Sequence, residues 1–197
     1  MFLLLEGWGF RYKQLESGRR QIMAYLIPGD LCDIQIFLFD KMDHSIGLLS
    51  AARVVKIPAV EMLDLMDRYP RIERALLWAT LVDEATLREW LLNVGQRSAL
   101  QRISHLFCEL CVRLSVVQLV DNNETFELPV TQAELADTTG MTTVHVNVGP
   151  NRVVATHPDS IETARRAAPR RAAYADLCGA EPQRAIDQLI YVMRGGD

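Results

Sequence analysis

The sequence predicts an α+β chain, strands first and helices after, on three observations. Residues 1 to 57 hold short apolar runs cut by Gly, Pro and Asp. Residues 71 to 96 repeat apolar side chains at steps of three and four without a break. Residues 128 to 147, LPVTQAELADTTGMTTVHVN, read as two short helices around one glycine. A chain of 197 residues, 49% hydrophobic, has room for one large or two small domains with a real core. The net charge of −4 excludes a general basic coat for nucleic acid but permits a local basic face. Cys32, Cys108, Cys111 and Cys178 do not have the spacing of a disulfide framework, so reduced thiols in a cytoplasmic protein are expected. The opening MFLLLEG has too short an apolar run and no basic flank for a signal peptide, and no stretch is long enough to span a membrane.

Taken in order, Phe2 to Leu5 is an apolar strand broken by Glu6-Gly7. Trp8 to Lys13 places aromatics on alternate positions, the period of a half-buried strand. Glu16-Ser17-Gly18 is a hairpin-type turn, Gln21 to Ile27 the returning strand, and Pro28-Gly29-Asp30 its close. Ile34 to Phe39 is a further apolar run, Asp40 to Ser45 a polar loop, and Arg53 to Ile57 alternates again. Short strands with regular turns predict a small sandwich or barrel. Nothing upstream of residue 2 can pair with the first strand, so an exposed edge is expected if the barrel is incomplete.

Residues 59 to 69 form a short helix that stops before Pro70. The long helix from Arg71 to Gln96 carries Leu76, Thr80, Asp83, Leu87, Trp90 and Val94 along one narrow seam suited to a partner helix. Trp78, Leu81, Ala85 and Leu92 lie on a neighbouring face suited to packing on the strands. Two apolar faces exceed what one small core needs, so the seam is assigned to a symmetric homodimer. Ser98 to Val117 is an amphipathic helix with Ile103, Leu106, Phe107, Leu110 and Leu114 on its apolar side. Asp121-Asn122-Asn123 is a turn.

Thr131 with Glu134 three residues on is a capping-box pattern. Ala133, Leu135 and Ala136 give that helix a small apolar face. Gly140 supplies the positive φ of a sharp helix-helix turn, and Thr142 or Thr143 can cap a second helix. This is a helix-turn-helix arrangement, whose second helix enters the major groove of DNA. Thr142, Thr143, Val144, His145 and Asn147 are the base-edge candidates: Asn and His bond base edges, and Thr and Val methyls meet thymine methyls. Gly149-Pro150 then ends the helical pattern. Residues 148 to 197 hold nine Ala and seven Arg with no Lys, and are expected to be an irregular or helical tail without a core of its own.

EGWGFRYK, the YLIPGD turn, GQRSALQRISHLFCEL and LPVTQAELADTTGMTTVHVN resemble the Crp/Fnr family of bacterial transcription regulators. The resemblance runs from Met1 to Asn147, about three quarters of the chain, and is most specific in the helix-turn-helix. It implies a partial β-roll or jelly-roll effector domain over 1–70, a dimerisation helix over 71–96 and a DNA-binding domain over 97–147. It also implies an effector-responsive homodimer on double-stranded DNA, with Thr131 and Gln132 joining the DNA-contact set, and no enzymatic activity. The family's roll normally begins before the position matched by Met1, so its opening strands are expected to be absent.

Three departures refine these expectations. Asp33-Ile34-Gln35 and Asp43-His44-Ser45 stand where cyclic-nucleotide-binding members place a Gly-Glu pair and an arginine for the phosphate. Acidic groups repel a phosphate anion, so cyclic AMP is not the expected ligand. Asp33, Gln35, Asp43, His44 and Ser45 are the candidates for lining a pocket for some other effector. Second, the N-terminal cysteine cluster of the oxygen-sensing branch is lacking. Third, Val148 stands where members carry an arginine in a longer reading helix, which suggests an altered C-terminus. Residues 130 to 147 contain no Lys or Arg, so basic support must come from Arg97, Arg102, Arg113 or Arg152. No cofactor or metal is assigned. His105, Cys108 and Cys111, three residues apart on one helix, are the metal candidates, as in a thiol or metal sensor, but no CxxC pair accompanies them.

Overall fold

The computed structural model describes residues 1–33, 42–120 and 126–148, with backbone alone at 145, 147 and 148. Among the described residues five strands precede five helices: β1 (Phe2–Glu6), β2 (Gly9–Gln14), β3 (Arg20–Leu26), β4 (Ser45–Leu48), β5 (Arg53–Lys56), α1 (Ala59–Arg68), α2 (Pro70–Gln96), α3 (Ala99–Val116), α4 (Gln132–Thr139) and α5 (Thr143–Val148). The α+β class follows directly. Contacts divide the chain into two compact units, Met1–Leu87 and Arg88–Asp197, and α2 passes from one to the other. Among the described residues no helix is long and apolar enough to cross a membrane.

In the first unit the described strand pairs are antiparallel. β3-β2-β4 form one sheet and β1-β5 another. The β2-β3 hairpin sets Phe10 opposite Tyr25 and Tyr12 opposite Ile22. Tyr25, Ile22 and Leu26 are fully buried; Tyr25 and Leu26 are consecutive and point to opposite faces, so both faces of β3 are covered at this end. Ser45, expected to close the polar loop, instead opens β4. Its sequence, SIGL, is too short to show a period, and pairing with β2 supplies what the local pattern lacks. Gly47 lies opposite Phe10, where a Cβ would run into the ring. The apolar run Ile34 to Phe39 lies outside the described residues, as does the Asp121–Asn123 turn.

Two core clusters lie among the described residues of this unit. Leu4, Leu26 and Cys32 pack with Ile46 and Ala52, while Met1, Met62 and Leu76 pack with Leu31, Ile57, Met66 and Ile72. Arg11 ties strand to helix. Its Nη1 donates to Asp83 Oδ2 at 2.6 Å, and its Nε and Nη2 donate to the carbonyls of Cys32 at 3.0 Å and Leu31 at 2.8 Å. A planar fork can serve three acceptors at once in this way.

These contacts decide which way α2 faces. Leu76 is in the core, Asp83 accepts from Arg11, and Trp90 is buried in the second unit, so three of the six seam residues are engaged within the protomer. Thr80 donates to the Leu76 carbonyl, Val94 is half-buried, and Leu87 is exposed. The strongly exposed apolar residues are instead Leu77 at 61%, Leu81 at 52% and Leu91 at 76%, joined by Leu87 and Leu92. Leu81 and Leu92 therefore do not cover the strands, as their spacing had suggested.

Candidate nucleic-acid interface

The second unit is built on α3. Ser98 caps it through a capping box with Gln101, and Leu106, Leu110 and Leu114, four residues apart, are fully buried. The end of α2 is joined to α3 by polar contacts that the sequence pattern did not reveal. Trp90 Nε1 donates to Glu109 Oε2 at 2.5 Å within the interior, and Glu109 also holds Arg113 at 3.2 Å. Arg97 pairs with Glu89 at 2.8 Å. Of these, only the i,i+4 step from Glu109 to Arg113 leaves a trace in the sequence.

The two-helix unit has the local chemistry its sequence announces. Thr131 Oγ1 accepts from the Glu134 amide at 3.2 Å, and Glu134 Oε2 accepts from the Thr131 amide at 2.8 Å. Both arms of the capping box are made, satisfying two amides that the helix leaves over. Gly140 ends α4 at φ +67, the left-handed conformation that glycine adopts without strain. Its N–H donates to the Ala136 carbonyl. Leu135 and Ala136 are buried, but Ala133 is exposed and does not join that face.

The base-edge candidates group at the start of α5. Thr142, Thr143 and Val144 are exposed, Val144 at 67%, while Val146 is buried at 4%. Thr131 is exposed and Gln132 half-buried at the start of α4. The side chains of His145 and Asn147 lie outside the described residues. The helix thus anchors by Val146 and turns Thr143 and Val144 outward. Among the basic supports, Arg97 and Arg113 are occupied by Glu89 and Glu109. Arg102 donates to two backbone carbonyls, and Arg152 lies outside the described residues.

The other candidates are more scattered. Asp33 is buried and accepts the Phe2 amide at 2.8 Å. Asp43 and His44 meet: His44 Nδ1 lies 2.6 Å from Asp43 Oδ1, and Lys13 Nζ lies 3.1 Å from Asp43 Oδ2. The hydrogen bonds from His44 and then Lys13 hold the Asp43 carboxyl below its usual range. His44 Nε2 is enclosed with no partner among the described residues. Ser45 is exposed at the start of β4, opposite Tyr12, and Gln35 lies outside the described residues. On α3, His105 is buried and Cys108 and Cys111 are half-buried. Among the described residues no group of three or more His, Cys, Asp or Glu could hold a metal ion.

His105 Nε2 is 3.8 Å from Glu89 Oε2, and its Nδ1 is buried without a partner among the described residues. Burial first, and the Arg97 charge second, push its pKa down to about 4, against a smaller opposing pull from Glu89. At neutral pH the ring is therefore uncharged and the contact is not an ion pair.

No protein-family model matches the chain. Among curated relatives, the transcriptional activator protein FnrL of Cereibacter sphaeroides is 32% identical over 133 residues, covering 65% of this chain and 52% of that protein. The nitrogen fixation regulation protein FixK of Bradyrhizobium diazoefficiens is 25% identical over 139 residues, covering 71% of this chain and 57% of its own length. The chain spans about half the length of the curated relatives it matches. Among solved structures, FixK2 from Bradyrhizobium japonicum superposes with a TM-score of 0.65 at 18% identity, over 90% of this chain and 86% of that one. A CRP-family transcriptional regulator from Thermus thermophilus gives 0.59 at 18% identity, over 90% and 87%. These structural likenesses show the shared fold, and the curated relatives carry the likeness in sequence. In sequence this chain is similar to the regulators FnrL and FixK, and it shares the fold of CRP-family transcriptional regulators.

Proposed function

We propose that the chain is a transcriptional regulator that binds double-stranded DNA as a homodimer in the bacterial cytoplasm and responds to an effector. The observation that carries the reading is the capped α4, the left-handed Gly140 and the outward Thr142, Thr143 and Val144. His145 and Asn147 extend the base-edge set, with Thr131 and Gln132 beside the backbone. In this reading 1–70 is the partial roll, 71–96 the dimer helix, 97–147 the DNA-binding domain and 148–197 a tail. An effector would lodge near Asp33, Gln35, Asp43, His44 and Ser45, and cyclic AMP is not the ligand favoured there. A shift in α2 would then reorient the two reading helices.

Exposure favours a pairing face on α2 centred on Leu77, Leu81 and Leu91, which meets the seam at Leu87. Thr80 falls on this face between Leu87 and Leu91, and Leu76, Val94, Asp83 and Trp90 would flank it on the seam side. Apolar side chains left this open to water mark a protein contact. The double change Leu81→Glu, Leu91→Glu is expected to convert a dimer to a monomer in sedimentation velocity with the fold retained. A monomeric unaltered chain overturns the dimer.

DNA binding is tested by affinity against salt for a duplex selected from a randomised pool. Regulator behaviour predicts specific binding that falls by an order of magnitude or more between about 50 and 200 mM salt. One observation favours a rival reading, a dimerising interaction module with little DNA binding. Residues 130 to 147 carry no Lys or Arg, and the described α5 is six residues long. Weak, salt-insensitive binding here, but steep binding in a variant whose second helix is longer and bears arginine, would establish the rival. A third reading, a thiol or metal sensor, rests on His105, Cys108 and Cys111, and metal analysis of anaerobically purified protein tests it.

A further inference from the structure

We infer that Arg102 is a positioning residue that ties the two-helix unit to the end of α2, where its charge alone had marked it as a candidate basic support for DNA. The inference deepens the DNA-binding reading and rests on it. Arg102 Nε donates to the Arg97 carbonyl at 2.9 Å, and Nη1 donates to the Thr139 carbonyl at 2.9 Å. Both acceptors stand at helix ends. Arg97 follows the last residue of α2, and Thr139 is the last residue of α4. Carbonyls there have no partner within the helix and form the negative end of its dipole. One guanidinium on α3 therefore answers two such ends at once.

Two further contacts fix the bridge. The Arg102 carbonyl accepts from Asn93 Nδ2 at 3.2 Å, so α2 holds the residue by its backbone as well. The turn glycine is close by: a Cβ on Gly140 would lie 3.2 Å from Val94 Cγ1 and 3.9 Å from Arg102 Nη1. The residue that sets the angle between α4 and α5 is thus seated against α2 and Arg102 together. Neighbouring arginines do not share this role, since Arg97 and Arg113 spend their guanidinium groups on Glu89 and Glu109.

The chemistry separates the two roles. Lysine keeps the positive charge that a phosphate needs, but its donors radiate from one nitrogen. It cannot reproduce a fixed fork whose Nε and Nη1 serve different carbonyls. Positioning therefore predicts that Arg102→Lys fails nearly as badly as Arg102→Gln, whereas a phosphate contact predicts that lysine rescues.

The experiment measures both variants and the unaltered chain on a duplex selected from a randomised pool by the unaltered chain, over a salt series. Backbone amide exchange is measured in parallel on the free proteins. Both variants are expected to lose affinity about tenfold or more, the scale of a broken pair of hydrogen bonds, with the salt slope unchanged. Exchange is expected to quicken across Gln132–Met141 and stay as it was across Ile103–Leu114. Near-full affinity in Arg102→Lys, with a slope reduced by about 1 in Arg102→Gln, would overturn the inference in favour of a phosphate contact. Unchanged exchange in α4 would overturn it too, and so would equal quickening in α3, which would make the role a general one. If the unaltered chain selects no duplex, the DNA-binding reading fails separately, and the exchange result alone decides the bridge.

Discussion

Val146→Asp is expected to release α5 and lower specific DNA affinity by about 100-fold or more. The valine is 4% exposed and is the anchoring side chain described on a helix of six residues. A helix this short does not persist without packing. An unpaired carboxylate at a buried site costs about 3 kcal/mol or more. The cheapest escape is for α5 to detach, which leaves little of the chain in a binding-competent state. Val144→Asp provides the contrast two residues away. Val144 is 67% exposed, so the new charge has no burial cost. It should weaken DNA binding by repelling phosphate while leaving amide exchange across Met141–Val148 as it was. In Val146→Asp that exchange should approach the rate of an unstructured peptide. Slow exchange there would show that α5 is held by something other than its valine.

The stability of the second unit is expected to fall by about 3 kcal/mol as the pH drops from 6.5 to 4, through His105 alone. The sign follows from the direction of the shift. Burial lowers the folded pKa of His105 to about 4 from an ordinary 6.5. Between those values the unfolded chain binds a proton that the folded chain refuses, so acid favours unfolding. The loss begins near pH 6.5, is complete near 4, and is absent above 6.5. Glu89 and Arg97 also face the ring, and carboxylates elsewhere titrate at the acid end of this window. The informative quantity is therefore the difference between the unaltered chain and His105→Gln, measured by denaturant unfolding at several pH values. The glutamine variant should show a flatter profile. Parallel profiles would mean that the ring is not buried as a neutral group.

Much of the architecture was legible in local pattern. The α1 boundary before Pro70, the run of α2, the Ser98 start of α3 and the Thr131–Glu134 capping box all depend on neighbours in sequence. Gly140 was readable as the turn because a left-handed residue in a tight helix-helix turn has few alternatives to glycine. Other features depend on partners far along the chain and left no such trace. β4 exists because β2 pairs with it, Phe10 to Gly47, and four residues alone cannot show a period. Trp90 was read as a seam residue, yet it is committed to Glu109, nineteen residues on. Arg102 looked like a phosphate ligand by charge, and its bond to Thr139 spans thirty-seven residues.

The sequence by itself determined that strands come before helices, the two-helix unit with the caps of its first helix, and the likeness to Crp/Fnr regulators. These are set by short-range periodicity, capping and turn chemistry, which act over a few residues. Only the tertiary structure decided which side of α2 its own chain covers and which basic residues are already spoken for. A helix with two apolar faces has the same period on both, and a charge has the same sign whether or not a carboxylate meets it. Packing between distant segments breaks that tie. Here Met62 and Arg11 claim one side of α2, and Leu77, Leu81 and Leu91 are left to water.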